Sequence, residues 1–271
     1  MSEVKLLYEL LQLELGKKNI EKTDLPDSIT GNLNPAFPMR LYQQKAFQFF
    51  LSYWQERFDG KPRQNHQLLF HMATGSGKTL MMAGLILYLY EQGYRNFLFF
   101  VHSTNIINKT RDNFLNVQSG KYLFAEIVSF CDKRVTVREV ENFQAANQDD
   151  INIVFSTIQG LHMSLNMPRE NGLTYDDFED KKIVLISDEA HHINADTKKG
   201  QPTQDEMFEA MSWEGTVERL FKAHEDNVLL EFTATVDLTD ENLAAKYKPK
   251  LIFDYPLKEF RKDGYSTQII H

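Results

Sequence analysis

Short apolar runs alternate with helical patterns of apolar residues from about residue 40 to residue 232. The alternation opens with an aromatic-rich helical stripe at 40–58. The apolar runs predicted to be strands are 67–71, 96–101, 151–155, 183–187 and 228–232. The helical patterns that follow the first four are 79–90, 105–115, 158–165 and 213–223. Strands that alternate with helices predict an α/β fold with a mostly parallel sheet and helices on both faces.

Patterns outside this alternation are predicted to lie at the surface of the domain. Residues 2–16 carry one apolar helical stripe, which we expect to pack on the outside of the domain; a docking helix for a partner is the alternative. Residues 17–39 contain three prolines and are predicted to form a loop or strap. The polar stretches 132–150, 168–182 and 196–206 are predicted to be surface excursions.

The composition is that of a soluble globular protein, with 42% hydrophobic and 25% charged residues. A net charge of -8 excludes a globally basic nucleic-acid coat, so contact with DNA or RNA must use a local groove. The single cysteine, Cys131, excludes an internal disulfide framework and is expected to be a small buried apolar residue. The apolar run at 80–90 is too short to span a bilayer, and the N-terminus lacks a signal-peptide pattern. We therefore expect a cytoplasmic protein without membrane contact.

The first candidate chemical motif is a glycine-rich loop between the first predicted strand and the helix that follows it. Glycines at 75 and 77 permit positive φ angles, so successive backbone amides can surround a phosphate chain. The lysine at 78 supplies a charge to the β and γ phosphates, and the threonine at 79 a hydroxyl for Mg²⁺. Met72 stands where the full pattern has its first glycine. The predicted nucleotide-binding residues of the loop are Thr74, Gly75, Ser76, Gly77, Lys78 and Thr79.

A second motif, Asp188-Glu189-Ala190-His191-His192, follows the apolar strand predicted at 183–187. The strand delivers Asp188 to the edge of the sheet, where a carboxylate can hold the Mg²⁺ of a nucleotide together with Thr79. Glu189 can orient and deprotonate the attacking water. The two motifs in this order predict an ATPase whose catalytic residues include Lys78, Asp188, Glu189 and His191. A metal site at His191, His192 and a nearby aspartate is the less favoured alternative, because nucleotide Mg²⁺ prefers oxygen ligands.

Together with the later Thr233-Ala234-Thr235, these motifs resemble motifs I, II and III of superfamily two helicases and translocases, in the same order. The resemblance covers nearly the whole chain from Arg40 onward and implies a RecA-like P-loop lobe. It also implies that His191, Thr233 and Thr235 relay the nucleotide state to loops that bind a nucleic-acid strand. The segment Arg40-Leu41-Tyr42-Gln43 resembles the adenine-recognition element of the family, in which Gln43 would contact the base.

Two hydroxyl-rich loops after strands resemble motifs Ia and Ib, which contact the backbone of the tracked strand in this family. The alternative is that their hydroxyls only cap the helices that follow. The residues expected to contact nucleic acid are Ser103, Thr104, Thr157 and Gln159.

The short N-terminal lead, the Asp-Glu-Ala-His-His box and residues 255–265 look similar to the ATP-dependent subunit of type III restriction enzymes. This resemblance implies duplex DNA as a partner, a modification methyltransferase as a second one, and a nuclease beyond residue 271. We expect three parts: an N-terminal helix and strap at 1–39, a RecA-like lobe at 40–257, and the start of a linker at 258–271. Because the arginine fingers of such motors lie on a second lobe, the chain alone is expected to bind ATP with little turnover.

Other classes of function share these motifs. An RNA helicase lobe or a general DNA helicase lobe would carry the same residues. In a nucleotide-gated interaction module, the lobe would dock partners through its N-terminal helix, and hydrolysis would be incidental.

Overall fold

The computed structural model describes residues 5–144, 146–167, 170, 172–190 and 204–265, and it describes only the backbone of 204–211. In chain order the strands are β1 (His66–Met72), β2 (Asn96–Val101), β3 (Val128–Phe130), β4 (Lys133–Val135), β5 (Val137–Glu139), β6 (Ile151–Thr157), β7 (Ile183–Ser187), β8 (Val228–Thr233) and β9 (Leu251–Tyr255). Seven of them form one sheet in the order β5-β6-β2-β7-β8-β1-β9. Every neighbouring pair in this sheet is parallel, whereas β3 and β4 form a separate antiparallel hairpin.

The helices flank this sheet. They are α1 (Leu7–Leu11), α2 (Lys17–Ile20), α3 (Asp27–Thr30), α4 (Leu41–Gln55), α5 (Lys78–Glu91), α6 (Thr104–Leu115), α7 (Ile158–Asn166), α8 (Asp176–Glu179), α9 (Gln204–Lys222), α10 (Glu241–Tyr247) and α11 (Leu257–Lys262). A π-helical turn, Gln12–Gly16, joins α1 to α2.

Near-continuous apolar strands explain why both faces of the sheet are covered. All five residues of β7 are buried. Its Val184 and Ile186 pack in the larger core with α4, α5 and α6. Its Ile183 and Leu185 face the smaller core on the other side, which α7 and α9 complete. The predicted parallel sheet with helices on both faces is therefore confirmed.

Each predicted strand is confirmed to within two residues at either end. Helix α9 begins earlier than predicted, at Gln204. The apolar N-terminal stripe packs on the domain as expected, with Leu7 and Leu11 buried. The strap at 17–39 also contains two short helices, α2 and α3, that were not predicted.

Two segments predicted as surface excursions contribute to the core, so those predictions are wrong in part. Within 132–150, β5 adds an edge strand to the main sheet, and Phe143 is fully buried. Within 168–182, Phe178 is also fully buried. Most of the third stretch, 196–206, lies outside the described residues. Cys131 is exposed rather than buried, because it occupies the turn of the β3–β4 hairpin with a φ of 48°.

Candidate nucleotide site

The glycine-rich loop spans the end of β1 and the start of α5, at the carboxyl edge of the sheet. Gly75 and Gly77 have φ angles of 78° and 80°, in the left-handed region that glycine adopts at little cost. A Cβ added at Gly77 would lie 2.5 Å from Nε2 of Gln43, so this position requires glycine for space as well. A Cβ at Gly75 would meet no atom of the described residues within 4 Å. The loop therefore packs against the start of α4 at Gly77 and opens outward at Gly75.

The start of α4 holds this loop through the carbonyl of Ser76. The hydroxyl of Tyr42 donates to this carbonyl at 2.7 Å, and Nε2 of Gln43 donates to it at 3.0 Å. Oε1 of Gln43 accepts the backbone N–H of Arg40 at 2.9 Å. The structure thus brings Gln43 to the loop, but both ends of its amide bond to protein and only 3% of the residue is exposed. A contact between Gln43 and a nucleotide base stays a prediction, and it requires the amide to exchange these bonds.

Asp188 and Glu189 follow β7, which is separated from β1 by β8. Nζ of Lys78 lies 4.0 Å from Oε1 of Glu189. Asp188 is 8% exposed. Burial raises the pKa of Asp188 to about 6; the charge of Lys78 opposes this rise, and the charge of Glu189 adds to it. The two motifs therefore meet at one point of the edge, with a buried carboxylate beside a buried ammonium.

Backbone geometry at the second motif is also special. Glu189 has a φ of 55°, which is unusual for a residue with a long side chain and costs on the order of 1 kcal/mol. Its N–H donates to Oδ1 of Asp188 at 3.0 Å. This bond holds the Asp188 carboxylate against the backbone of Glu189.

The residues of this site fit a Mg²⁺–nucleotide. Among the described residues, the buried hydroxyls of Ser76, in the glycine-rich loop, and Ser187, directly before Asp188, have no hydrogen-bond partner. The same holds for Ser28, which lies in α3 outside this site. Unsatisfied buried hydroxyls are unusual and are typical of places where a ligand or ion supplies the partner. Lys78 offers a charge for phosphate, while Asp188 and the half-buried Thr79 offer the oxygen ligands that Mg²⁺ prefers. His191 lies outside the described residues, as does His192.

The Thr233-Ala234-Thr235 segment follows β8, the strand that lies between the strands of the two motifs. The Thr233 hydroxyl donates to the carbonyl of Thr235 at 3.0 Å and accepts the N–H of Thr235 at 3.2 Å. Thr233 is buried, and Thr235 is exposed. The segment is therefore a closed turn beside the loop that follows β1.

The four residues expected to contact nucleic acid lie at or just after the ends of β2 and β6, which are neighbours in the sheet on the far side of β7. Val101 pairs with Thr157, so the two loops leave the sheet at the same height. Thr104 and Gln159 are exposed, and Ser103 is half-buried. The Thr157 hydroxyl accepts the N–H of Gly160 at 2.9 Å and so caps α7. This cap agrees with the structural alternative for Thr157; the nucleic-acid contacts stay predictions.

One polar residue at this edge did not emerge from the motif analysis. His71 is the second-to-last residue of β1, shortly before the glycine-rich loop, and it is 8% exposed. It contacts Asp254 of β9 and the backbone of Ala234. The available signal was a histidine inside an otherwise apolar strand, but its partner Asp254 lies far along the chain in a strand that was not predicted.

The chain matches the profile of a known protein family and a curated relative. The family is described as "Type III restriction enzyme, res subunit", and its profile matches residues 36–238. The relative is the probable type III restriction-modification enzyme HindVIP Res subunit of Haemophilus influenzae, 39% identical over 276 aligned residues. The alignment covers 93% of this chain and 53% of the relative, so the chain spans about half the length of that protein.

Solved structures resemble this chain less closely than the curated relative does. The UvsW helicase from bacteriophage T4 is 15% identical with a TM-score of 0.46, covering 81% of this chain and 60% of that one. A nuclease-deletion mutant of the Type ISP restriction-modification enzyme LlaGI, in complex with a DNA substrate mimic, is 17% identical with a TM-score of 0.45. That match covers 86% of this chain and 21% of the other. Both TM-scores are below 0.5, so the fold is assigned from the order and direction of the strands in the sheet. None of the described helices is long and apolar enough to cross a membrane.

Proposed function

Because the chain belongs to the family of type III restriction enzyme Res subunits, we propose that it forms an ATP-binding motor lobe whose hydrolysis of ATP drives movement on duplex DNA. The observation that carries the proposal is the meeting of two distant motifs at the sheet edge, where Lys78 lies 4.0 Å from Glu189. An ammonium for phosphates and a carboxylate for water stand side by side there. This is the pair of groups that phosphoryl transfer to water requires.

Each residue of the site has a role in this proposal. The loop amides at 74–77 and the Lys78 ammonium bind the phosphates, and the N-terminus of α5 favours the same negative charge. Thr79 and Asp188 would hold Mg²⁺, which when bound would offset charge on the β and γ phosphate oxygens. Glu189 orients the attacking water and takes its proton. The proposal also assigns His191, Thr233 and Thr235 to the coupling of nucleotide state to nucleic acid, and Gln43 to recognition of the base.

The proposed lobe spans 40–257, with a helix and strap at 1–39 and the start of a connecting segment at 258–271. Duplex DNA would run along the loops after β2 and β6, touching Ser103, Thr104, Thr157 and Gln159. A modification methyltransferase subunit is the proposed protein partner, and the cytoplasm is the proposed location. Burial of the α1 stripe against the domain disfavours the alternative in which this helix is a free docking element.

Two measurements test the proposal at different levels. First, binding of Mg²⁺–ATP is measured on the chain itself by titration calorimetry, with Lys78→Ala as the site variant. Lys222→Ala is the matched control, because Lys222 pairs with Glu218 on the exposed surface of α9. We expect Lys78→Ala to weaken binding at least about tenfold, since a charge-assisted phosphate contact is lost. Equal binding by both variants would contradict the proposed site.

Second, ATP hydrolysis is measured in a polypeptide that contains this chain and matches the curated relative in length. It is called the full-length protein below. Duplex DNA and RNA of matched length are compared as stimulators. Stimulation by duplex DNA supports the restriction-type motor. Stimulation by RNA alone would replace that substrate and leave the ATP site in place.

A further inference from the structure

His71 occupies a junction of three strands at the nucleotide edge. It pairs in register with Thr233 of β8 on one side and with Asp254 of β9 on the other. Its Nδ1 lies 2.6 Å from Oδ1 of Asp254, and its Nε2 lies 3.2 Å from the carbonyl oxygen of Ala234. The ring therefore bridges β9 and the turn that follows β8.

Both neighbours of the ring are hydrogen-bond acceptors. A backbone carbonyl can only accept, so the bond to Ala234 requires the proton on Nε2 of His71. The other ring nitrogen, Nδ1, faces the Asp254 carboxyl group. This contact is open to solvent on the aspartate side, because the Asp254 side chain is 29% exposed and lines a cavity of about 800 Å³ beside Tyr8. Burial raises the pKa of the Tyr8 hydroxyl, and the nearby charge of Asp254 raises it further.

We propose that His71 is a positioning residue that anchors the Thr233-Ala234-Thr235 turn through the Ala234 carbonyl and, through Asp254, ties this turn to β9. The Thr233 hydroxyl bonds to the backbone of Thr235 within the turn, and the Ala234 carbonyl is a point at which a side chain of β1 holds the turn from outside. The importance of this anchor for catalysis rests on the proposed function above.

The same strand end also supports the glycine-rich loop. Ala73, two residues after His71, donates its N–H to the carbonyl of Tyr255 at 3.1 Å. One stretch of β1 thus bonds β9 through its backbone and the turn after β8 through His71. A displacement of the turn that breaks the His71–Ala234 bond therefore acts next to the loop that binds phosphate.

A structural test needs neither ATP nor DNA. In the chain without ligand, ¹⁵N NMR of the histidine rings reports which nitrogens of His71 are protonated, and hydrogen exchange reports the protection of the Thr235 N–H. We expect Nε2 of His71 to carry a proton, because the Ala234 carbonyl can only accept. His71→Gln should speed exchange at Thr235 by about tenfold, as the loss of one hydrogen bond predicts.

His66→Gln is the matched control, because His66 lies on the same strand at the opposite edge and bonds the Tyr53 hydroxyl at 2.8 Å. It should leave exchange at Thr235 unchanged. A His71 that carries no proton on Nε2, or equal exchange in His71→Gln and wild type, would overturn the proposal.

The consequence for the motor is tested in the full-length protein by steady-state hydrolysis. His71→Gln should lower the DNA-stimulated kcat by about tenfold and leave the KM for ATP unchanged, since the phosphate loop itself is intact. A rise in KM with unchanged kcat would instead identify His71 as a mere support of the loop. If the full-length protein does not hydrolyse ATP, the proposed function fails, whereas the exchange measurement still decides whether His71 anchors the turn.

Discussion

Lys78 and Glu189 lie with their charged groups 4.0 Å apart, although β1 and β7, which deliver them, are not neighbours in the sheet. The strand between them is β8. The cation proposed to bind phosphate thus lies close to the carboxylate proposed to activate water. A bound phosphate would share this cation with Glu189.

The relationship predicts the behaviour of Glu189→Gln. Removal of the proposed base should lower ATP turnover of the full-length protein by roughly 10²–10⁴-fold. Binding of Mg²⁺–ATP should be unchanged or tighter, because an anionic neighbour of Lys78 is lost. Single-turnover hydrolysis and calorimetry measure the two effects separately.

Glu139→Gln is the control for this experiment. Glu139 forms a partly exposed ion pair with Arg111 at 2.8 Å, at the far edge of the sheet. Its replacement should change neither binding nor turnover. Undiminished hydrolysis by Glu189→Gln would remove Glu189 from the catalytic role.

The buried carboxylate of Asp188 makes stability depend on pH in a specific direction. Its pKa is raised from 3.8 to about 6, so the folded state binds the proton more tightly than the unfolded state. Well below pH 3.8 both states are protonated and the carboxylate costs nothing. As the pH rises through 6, the folded chain loses stability, by about 2–3 kcal/mol in total.

Asp188→Asn should therefore be more stable than wild type by that amount at pH 8 in the absence of metal, with the advantage vanishing toward pH 4. Urea unfolding in EDTA across this range measures it. Asp177→Asn is a contrasting variant, because the buried Asp177 accepts bonds from Phe143 and Thr174 and should lose stability at neutral pH. A variant at Asp188 that is less stable than wild type at pH 8 would contradict the burial argument.

The glycines of the phosphate loop should differ in their sensitivity to alanine. Gly75→Ala meets no described atom and should cost only the positive φ, about 1 kcal/mol of unfolding free energy. Gly77→Ala has the same φ penalty and also places a methyl group 2.5 Å from Gln43, so it should cost more and weaken ATP binding. Adding Gln43→Ala to Gly77→Ala should restore part of the stability. No recovery in this double variant would show that the Gln43 contact is not what limits Gly77.

A buried ion pair on the opposite side of the sheet from α5 offers a separate test of the core. Nζ of Lys250 lies 2.5 Å from Oε2 of Glu231, and Gln67 donates to the same oxygen at 2.8 Å. Both charged side chains are less than a tenth exposed. Glu231→Ala should lower the free energy of unfolding by about 3–5 kcal/mol, because it leaves the buried ammonium of Lys250 without its carboxylate partner.

The double variant Glu231→Leu, Lys250→Met should lose far less, since no charge is left unpaired. Urea titration at pH 7 compares the two. If the double variant is as unstable as Glu231→Ala, the pair adds to the free energy of unfolding by more than the neutralisation of one charge by the other.

Much of the fold was predictable because its signals are local. Continuous apolar runs predicted five of the six strands that have five or more residues, and the residues 183–187 were predicted without error. The sixth, β9, was missed. Short elements such as β5 and α10 were missed, because a few residues do not establish a period. Cys131 was predicted to be buried from residue type alone, whereas its position in a hairpin turn decided its exposure.

The sequence by itself determined the order of the motifs, the glycines at 75 and 77, and the family to which the chain belongs. These features depend on local backbone preference and on residue identity. The tertiary structure alone decided that β8 lies between β1 and β7, which sets Lys78 against Glu189 and the Thr233–Thr235 turn against His71. Strand order depends on how distant apolar faces pack together, and partners such as His71 and Asp254, 2.6 Å apart in space, have no local pattern that connects them.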